Sequence, residues 1–406
     1  VREQLRNAAI RGAQLSLRKG LRLLSGVVPT SRRVVVSAYP ETEGNAGELL
    51  AALLRRYDGQ VVWLREPAGP HADLPDHPRL TVVDKASAAG VRHYLRAEAV
   101  FFTHGLYGSP RPSRRKPIVN LWHGDGPKAT RPGGDAGSLI PSTYLVSGTE
   151  LFGALKARAF ELPEERLLVT GNPRTDQLWR APDPDALADL GITGDFVLWM
   201  PTFRSTRATG VTRSWSEGGG DVGVEDVAPL VEGLRARGVQ LVVKPHPLDA
   251  EERRGPGIVT VTNDDLARVG VPLYSLMGRS RGLVTDYSSV WVDYLLLDRP
   301  IAFWVPDRDS YTRSLAPADV LDWLPGEPVE PGSAPFSRFL ADLDADGGED
   351  AVLRKEVAAR IGLRFTRSSA DDLVDALVGR GVLRLGAPAA RRRTSLRDRR
   401  KGRSRR

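Results

Sequence analysis

The chain has no cysteine in 406 residues. That excludes disulfide frameworks, zinc–cysteine sites and a thiol nucleophile. No apolar run approaches the length of about 18–20 residues that a helix needs to span a bilayer. The first residues hold no apolar signal core with a small-residue cleavage site, so export by that route is not expected. No Gly-x-Gly-x-x-Gly follows the first predicted strand, which leaves a dinucleotide site there unsupported. The chain also lacks an Asp-x-Asp pair beside its polar clusters and any His/carboxylate group at metal-ligand spacing. Neither a metal nor another cofactor is expected.

What charge there is sits unevenly. The net charge is +8. Residues 1–33 carry eight Lys/Arg against one acid, and residues 391–406 carry ten against one. The body between them is acidic, with 40 basic and 48 acidic residues. An acidic body with basic ends does not fit a nucleic-acid groove, and no specific nucleic-acid partner is expected. It fits a unit held against an anionic membrane surface. Residues 1–30 read as a basic amphipathic helix: Ile10, Ala13, Leu17, Leu21 and Leu24 share one face, with Arg11, Arg18, Lys19 and Arg22 mostly opposite. Such a helix can lie in a membrane interface or pack on the protein's own body. The tail at 387–406 is Arg-rich, low in complexity and expected to be disordered.

The length calls for more than one core. Short β-branched runs alternate with helical patterns throughout. Arg33–Ser37, Val61–Leu64, Leu80–Val83, Val100–Phe102, Ile118–Leu121, Tyr144–Val146 and Leu167–Thr170 form one set. Phe196–Met200, Val239–Lys244, Val259–Val261, Gly282–Thr285 and Ile301–Val305 form another. Alternation of this kind predicts α/β architecture with two Rossmann-like domains, at 31–180 and 190–385. A polar, Gly-rich stretch at about 205–223 is long for a compact domain and reads as a mobile or functional loop.

Polar clusters stand just past predicted strand ends, the ligand edge of a parallel sheet. His123 ends a strand and leads into Gly124-Asp125-Gly126-Pro127-Lys128, where glycines let a ligand approach and Lys128 adds charge. An imidazole there can take a proton from a hydroxyl near neutral pH. Lys244-Pro245-His246-Pro247 holds a cation and an imidazole between stiffening prolines. Arg204 follows Met200-Pro201-Thr202-Phe203 and can bind phosphate bidentately. Arg174 and Asp176 stand at the domain junction. Asp286, Ser288 and Ser289 begin a helix, where alone they read first as a cap, and the same free N–H groups also make an anion site. Each cluster alone fits an ordinary turn. Facing one another, they suit a diphosphate-like donor and a hydroxyl acceptor.

These stretches carry a resemblance. Trp122-His123-Gly124 with Lys128, Gly171-Asn172-Pro173-Arg174 with Asp176, Pro201-Thr202-Phe203-Arg204 with Lys244-Pro245-His246-Pro247, and Thr285-Asp286-Tyr287-Ser288-Ser289 with Asp293-Tyr294, Arg299-Pro300 and Asp307 resemble the CDP-glycerol glycerophosphotransferases, the teichoic-acid primases and polymerases. The resemblance implies a GT-B fold whose two domains face across a cleft, the first taking the acceptor and the second the CDP donor. It implies transfer of glycerol or ribitol phosphate from a CDP-polyol donor to a lipid-linked glycan acceptor, releasing CMP, at the cytoplasmic face of the membrane. His123 would be the base. His246 would contact the donor diphosphate, supported by Arg204 and Lys244. Ser288 and Ser289 would hold donor phosphate, with Asp286 orienting their loop. The chain departs from the family in having Asp125-Gly126-Pro127 where Thr-Pro is common, which sets a carboxylate beside the expected phosphate. Two other readings stay open: a GT-B glycosyltransferase using a nucleotide sugar for capsule or wall glycan, and a non-catalytic wall-polymer binding protein.

Overall fold

The computed structural model describes residues 19–41, 44–67, 71–107, 112–113, 115–130, 141–201, 228–245, 257–305, 308, 311, 314–330, 335–345 and 348–386. Arg204, His246, the 205–223 stretch, residues 1–18 and the 387–406 tail lie outside the described residues. The first sheet is built from β1 (Ser31–Ser37), β2 (Gln60–Arg65), β3 (Leu80–Asp84), β4 (Ala97–Phe102), β5 (Ile118–Asn120), β6 (Tyr144–Ser147) and β7 (Leu167–Val169). The second is built from β8 (Phe196–Trp199), β9 (Gln240–Val243), β10 (Ile258–Thr260), β11 (Gly282–Thr285), β12 (Ile301–Trp304) and β13 (Glu327–Val329). The inner strands are rich in Val, Leu, Ile and Phe and buried on both faces, as strands covered by helices on either side must be, whereas the edge strands β3 and β10 are only partly buried.

Spatial order is β3-β2-β1-β4-β5-β6-β7 in one sheet and β10-β9-β8-β11-β12-β13 in the other. The pairings between these strands are all parallel. Each sheet starts in its middle, runs to one edge and then returns to fill the other side. The direction reverses between β1 and β4, and again between β8 and β11. In such sheets ligands bind beyond the carboxyl ends of the strands at that reversal. Two Rossmann-like sheets of this kind are the GT-B architecture the sequence predicts. β13 was not among the predicted strands: its Glu327-Pro328-Val329 is short, and its proline fits only because the strand lies at the sheet edge.

Helices cover both sheets. Residues 19–27 form α1, and α2 (Gly44–Arg56), α3 (Ala88–Arg96) and α4 (Glu150–Ala159) follow in the first half. In the second half, α5 (Pro184–Asp189), α6 (Ala228–Ala236), α7 (Asn263–Val269), α8 (Leu273–Arg279), α9 (Val290–Tyr294), α10 (Ser337–Asp344), α11 (Asp350–Arg360) and α12 (Ser369–Gly379) complete the chain. α12, which sequence order groups with the second domain, packs on the first: Ala370, Leu373, Val374 and Leu377 share a core with Val34, Leu49, Leu53 and Val119. The described part of α1 turns Leu21 into the first domain's core, while the buried Ser25 hydroxyl accepts from Lys116 Nζ at 3.4 Å. Leu23, Leu24 and Val27 stay exposed.

Candidate active site

The loop after β5 carries His123. Trp122 stands at φ 52°, a left-handed conformation that costs a non-glycine residue about 1–3 kcal/mol. Two side chains hold it there. Asn120 Oδ1 accepts the Trp122 N–H at 2.9 Å, and Asn45 Nδ2, from α2, donates to the Trp122 carbonyl at 3.2 Å. The reversal leaves His123 exposed. Its ring lies against Trp122, with centroids 3.9 Å apart, and against His104, at 4.5 Å.

Behind His123 the loop is clamped by a buried polar network that joins the domains. Asp125 is 1 % exposed, and its carboxylate accepts from the Gly148 N–H at 2.5 Å and from Asn172 Nδ2 at 3.3 Å. Lys156 Nζ lies 3.8 Å from it. The carboxylate that sequence placed beside a phosphate is thus turned inward and paired. Burial pushes Asp125 up and Lys156 down, each against the attraction of the other. Arg174 donates to the His123 carbonyl at 2.7 Å, and its Nε and Nη2 reach Asp293 Oδ2 in α9 at 3.1 and 2.6 Å. Tyr274 Oη, from α8, donates to the same oxygen at 2.6 Å. Gly124, at φ 124°, is the residue against which the Arg174 guanidinium lies, so a side chain there meets both strain and a clash.

The second domain supplies the facing wall. Past β9, Lys244 is 4 % exposed and donates to the Pro245 carbonyl at 3.0 Å; burial lowers its pKa to about 8. Past β11, the buried Asp286 accepts the Ser288 N–H at 3.2 Å. Ser288 Oγ accepts the Val290 N–H at 3.4 Å. Ser289 is half-buried. The helix they begin is short: α9 gives way to a 3-10 turn at Leu295–Leu297. The two walls touch. A Cβ at Gly126 would lie 2.2 Å from Ser289 Cβ, so the His123 loop rests directly on this turn. Next along the loop, Lys128 bridges to Leu315, and the Ala129 N–H donates to the Ser314 carbonyl at 2.9 Å.

The sequence matches the family described as CDP-Glycerol:Poly(glycerophosphate) glycerophosphotransferase over residues 24–362. The chain belongs to that family. Among relatives of this glycerophosphotransferase-family chain, the teichoic acid ribitol-phosphate primase of Bacillus spizizenii is 27% identical over 271 residues, covering 59% of this chain and 64% of that protein. The teichoic acid glycerol-phosphate primase of Staphylococcus aureus is 29% identical over 172 residues, 41% of this chain and 40% of that one. The chain thus spans between 40% and 64% of the length of the curated relatives it matches. In three dimensions it is similar to the wall teichoic acid polymerase TagF, with a TM-score of 0.62 and 18% identity over 94% of this chain and 97% of that one. At that identity the likeness concerns the fold.

For the glycerophosphotransferase-family chain, then, the described site groups gather in three places. His123 and Lys128 share the β5 loop, Lys244 and the Asp286–Ser289 turn form the opposite wall, and Arg174 lies between them as a clamp. Asp176 has another task. It accepts the N–H groups of Ser369 and Ala370 at 2.6 and 3.0 Å and caps α12. Sequence reasoning passed over His104 and Tyr39, which stand past β4 and β1 at the first reversal point. The signal was present, since both follow a strand end as His123 does.

Proposed function

We propose that the protein transfers glycerol phosphate or ribitol phosphate from a CDP-linked donor to a hydroxyl of a membrane-lipid-linked glycan, releasing CMP, in the assembly of a teichoic-acid-like wall polymer. The observation that carries this reading is the contact of the His123 loop with the Ser288–Ser289 turn through Gly126. It brings the loop of an exposed imidazole against a turn of polar side chains. The acceptor oxygen attacks the phosphorus that bears the polyol. The bond from that phosphorus to the bridging oxygen breaks, and CMP leaves with that oxygen. The acceptor's proton passes to His123. Lys244 and the Ser288 and Ser289 hydroxyls offset charge on the diphosphate, with Arg204 and His246 assigned to the same task from sequence. Lys128 lies beside the acceptor, and Arg174 acts from behind the site, while Asp176 holds α12. In this reading the first domain, 31–180, takes the acceptor and the second, 190–385, takes the donor. A solved structure of a TagF variant soaked with CDPG agrees with a CDP-linked donor in this family.

The same proposal places the protein peripherally at the cytoplasmic face of the membrane. Leu23, Leu24 and Val27 are exposed beside Lys19 and Arg22 on α1, an apolar and basic surface suited to an anionic bilayer. Among the described residues no helix is long and apolar enough to cross a membrane. A donor screen tests the reaction. With a lipid-linked glycan acceptor, CDP-glycerol or CDP-ribitol should yield CMP, while nucleotide sugars should yield no nucleoside diphosphate. Turnover of a nucleotide sugar with neither CDP-polyol consumed would replace this reading with a glycosyltransferase.

A further inference from the structure

Three aromatic rings pack around the loop after β5. His123 and His104 are stacked, with centroids 4.5 Å apart and planes 25° from parallel. Trp122 lies 3.9 Å from His123 and 5.9 Å from His104. Phe160 closes against the far side of Trp122 edge-on at 4.9 Å. His104 is itself fixed by the first reversal point. It directly follows Thr103, whose Oγ1 accepts the Tyr39 N–H at 3.0 Å across the β1/β4 crevice. Tyr39 meets the His104 ring edge-on at 6.3 Å and is 54 % exposed.

We propose that His104 is a positioning residue for His123: its ring is the face that holds the imidazole in the orientation from which it meets the acceptor hydroxyl. The inference rests on the reading of His123 as the base. Without His104, one face of the His123 ring loses its support. Among the described residues, the groups facing His104 are His123, Trp122, Tyr39 and Lys85. Lys85 is paired with Glu66 and donates to the Gly105 carbonyl at 3.1 Å. Burial, and then the Lys85 charge, hold His104 below the usual histidine range. It therefore stacks as a neutral ring and adds no charge against His123. Its Nδ1 is buried with no hydrogen-bond partner among the described residues, which suits a residue present for its shape. Phenylalanine should then substitute for it.

The test uses His104→Ala and His104→Phe in the full chain. In the alanine variant, kcat for CMP release should fall about tenfold or more with the donor KM within about twofold of wild type. The phenylalanine variant should return to within about threefold of wild type. Independently of any substrate, selectively labelled protein should show cross-peaks between the His123 and Trp122 rings in the wild type and in His104→Phe, and lose them in His104→Ala. An alanine variant that keeps both the cross-peaks and wild-type kcat overturns the proposal. So does a folded phenylalanine variant with the cross-peaks intact but no more active than alanine, because a nitrogen of His104 would then be needed. A wild-type protein that transfers nothing sinks the functional reading, and the cross-peaks alone still decide whether His104 holds the ring.

Discussion

Lys244 keeps its charge where burial opposes it. The side chain is 4 % exposed, and its pKa falls to about 8. A cation is retained there at neutral pH, and an incoming diphosphate would favour its charged form. The sign follows directly. Below about 8 the ammonium is protonated and attracts the donor; above it the attraction is lost. Donor affinity should therefore weaken roughly tenfold between pH 7 and pH 9, and Lys244→Met should bind weakly at both with that step gone. Calorimetric titration with CDP-glycerol across this range checks it, and an equal step in wild type and variant would assign the titration to another group. Asp125 shows how far residue-scale reading reaches from sequence. Its charge was evident, but its direction was not, because Lys156, Gly148 and Asn172 come from distant parts of the chain.

At the scale of elements, the site is made by loops that follow strands, and each loop is held by a neighbour. Two substitutions separate positioning from stability. Gly126→Ala puts a Cβ 2.2 Å from Ser289 Cβ and 2.7 Å from Ser289 Cα, so the His123 loop and the Ser288–Ser289 turn must part. Transfer should fall by about tenfold to a hundredfold while the fold persists. Asp176→Ala removes the cap of α12 and should lower stability by about 0.5–2 kcal/mol, with transfer within about twofold of wild type at a temperature where the protein is folded. Thermal melts and CMP release on the two variants test this contrast, and the reverse pattern would contradict it. The strands themselves were legible, because β-branched runs such as Val34–Val36 and Val61–Val62 bounded by polar turns have few other fates. The clamp of Arg174, Asp293 and Tyr274 was not. Arg174 and Asp293 stand 119 residues apart, and their meeting depends on how the second sheet docks on the first. β13 was hidden for another reason, since three residues with a proline carry no periodicity.

At the scale of the molecule, two sheets of the same winding face one another through their ligand edges. α12 returns from the second domain to complete the core of the first. The architecture was legible from alternation alone, whereas the return of α12 was not, since a helical pattern does not say which sheet it covers. The membrane contact proposed for the basic ends belongs to this scale too. Replacing Leu23 and Val27 by serine leaves Leu21 and Ser25 seated on the body and should weaken binding to anionic vesicles, as should removal of 387–406, where each Lys/Arg near the surface is worth about 1 kcal/mol. Vesicle sedimentation that stays unchanged and insensitive to salt would contradict membrane attachment by these ends. The most direct test of the whole is CMP release from CDP-glycerol or CDP-ribitol in the presence of a lipid-linked acceptor, measured for wild type and for His123→Ala. The transferase reading predicts acceptor-dependent CMP from the wild type and a loss on the order of a hundredfold or more in the variant. Folded wild-type protein that releases no CMP from either donor, or a variant as active as wild type, would contradict it.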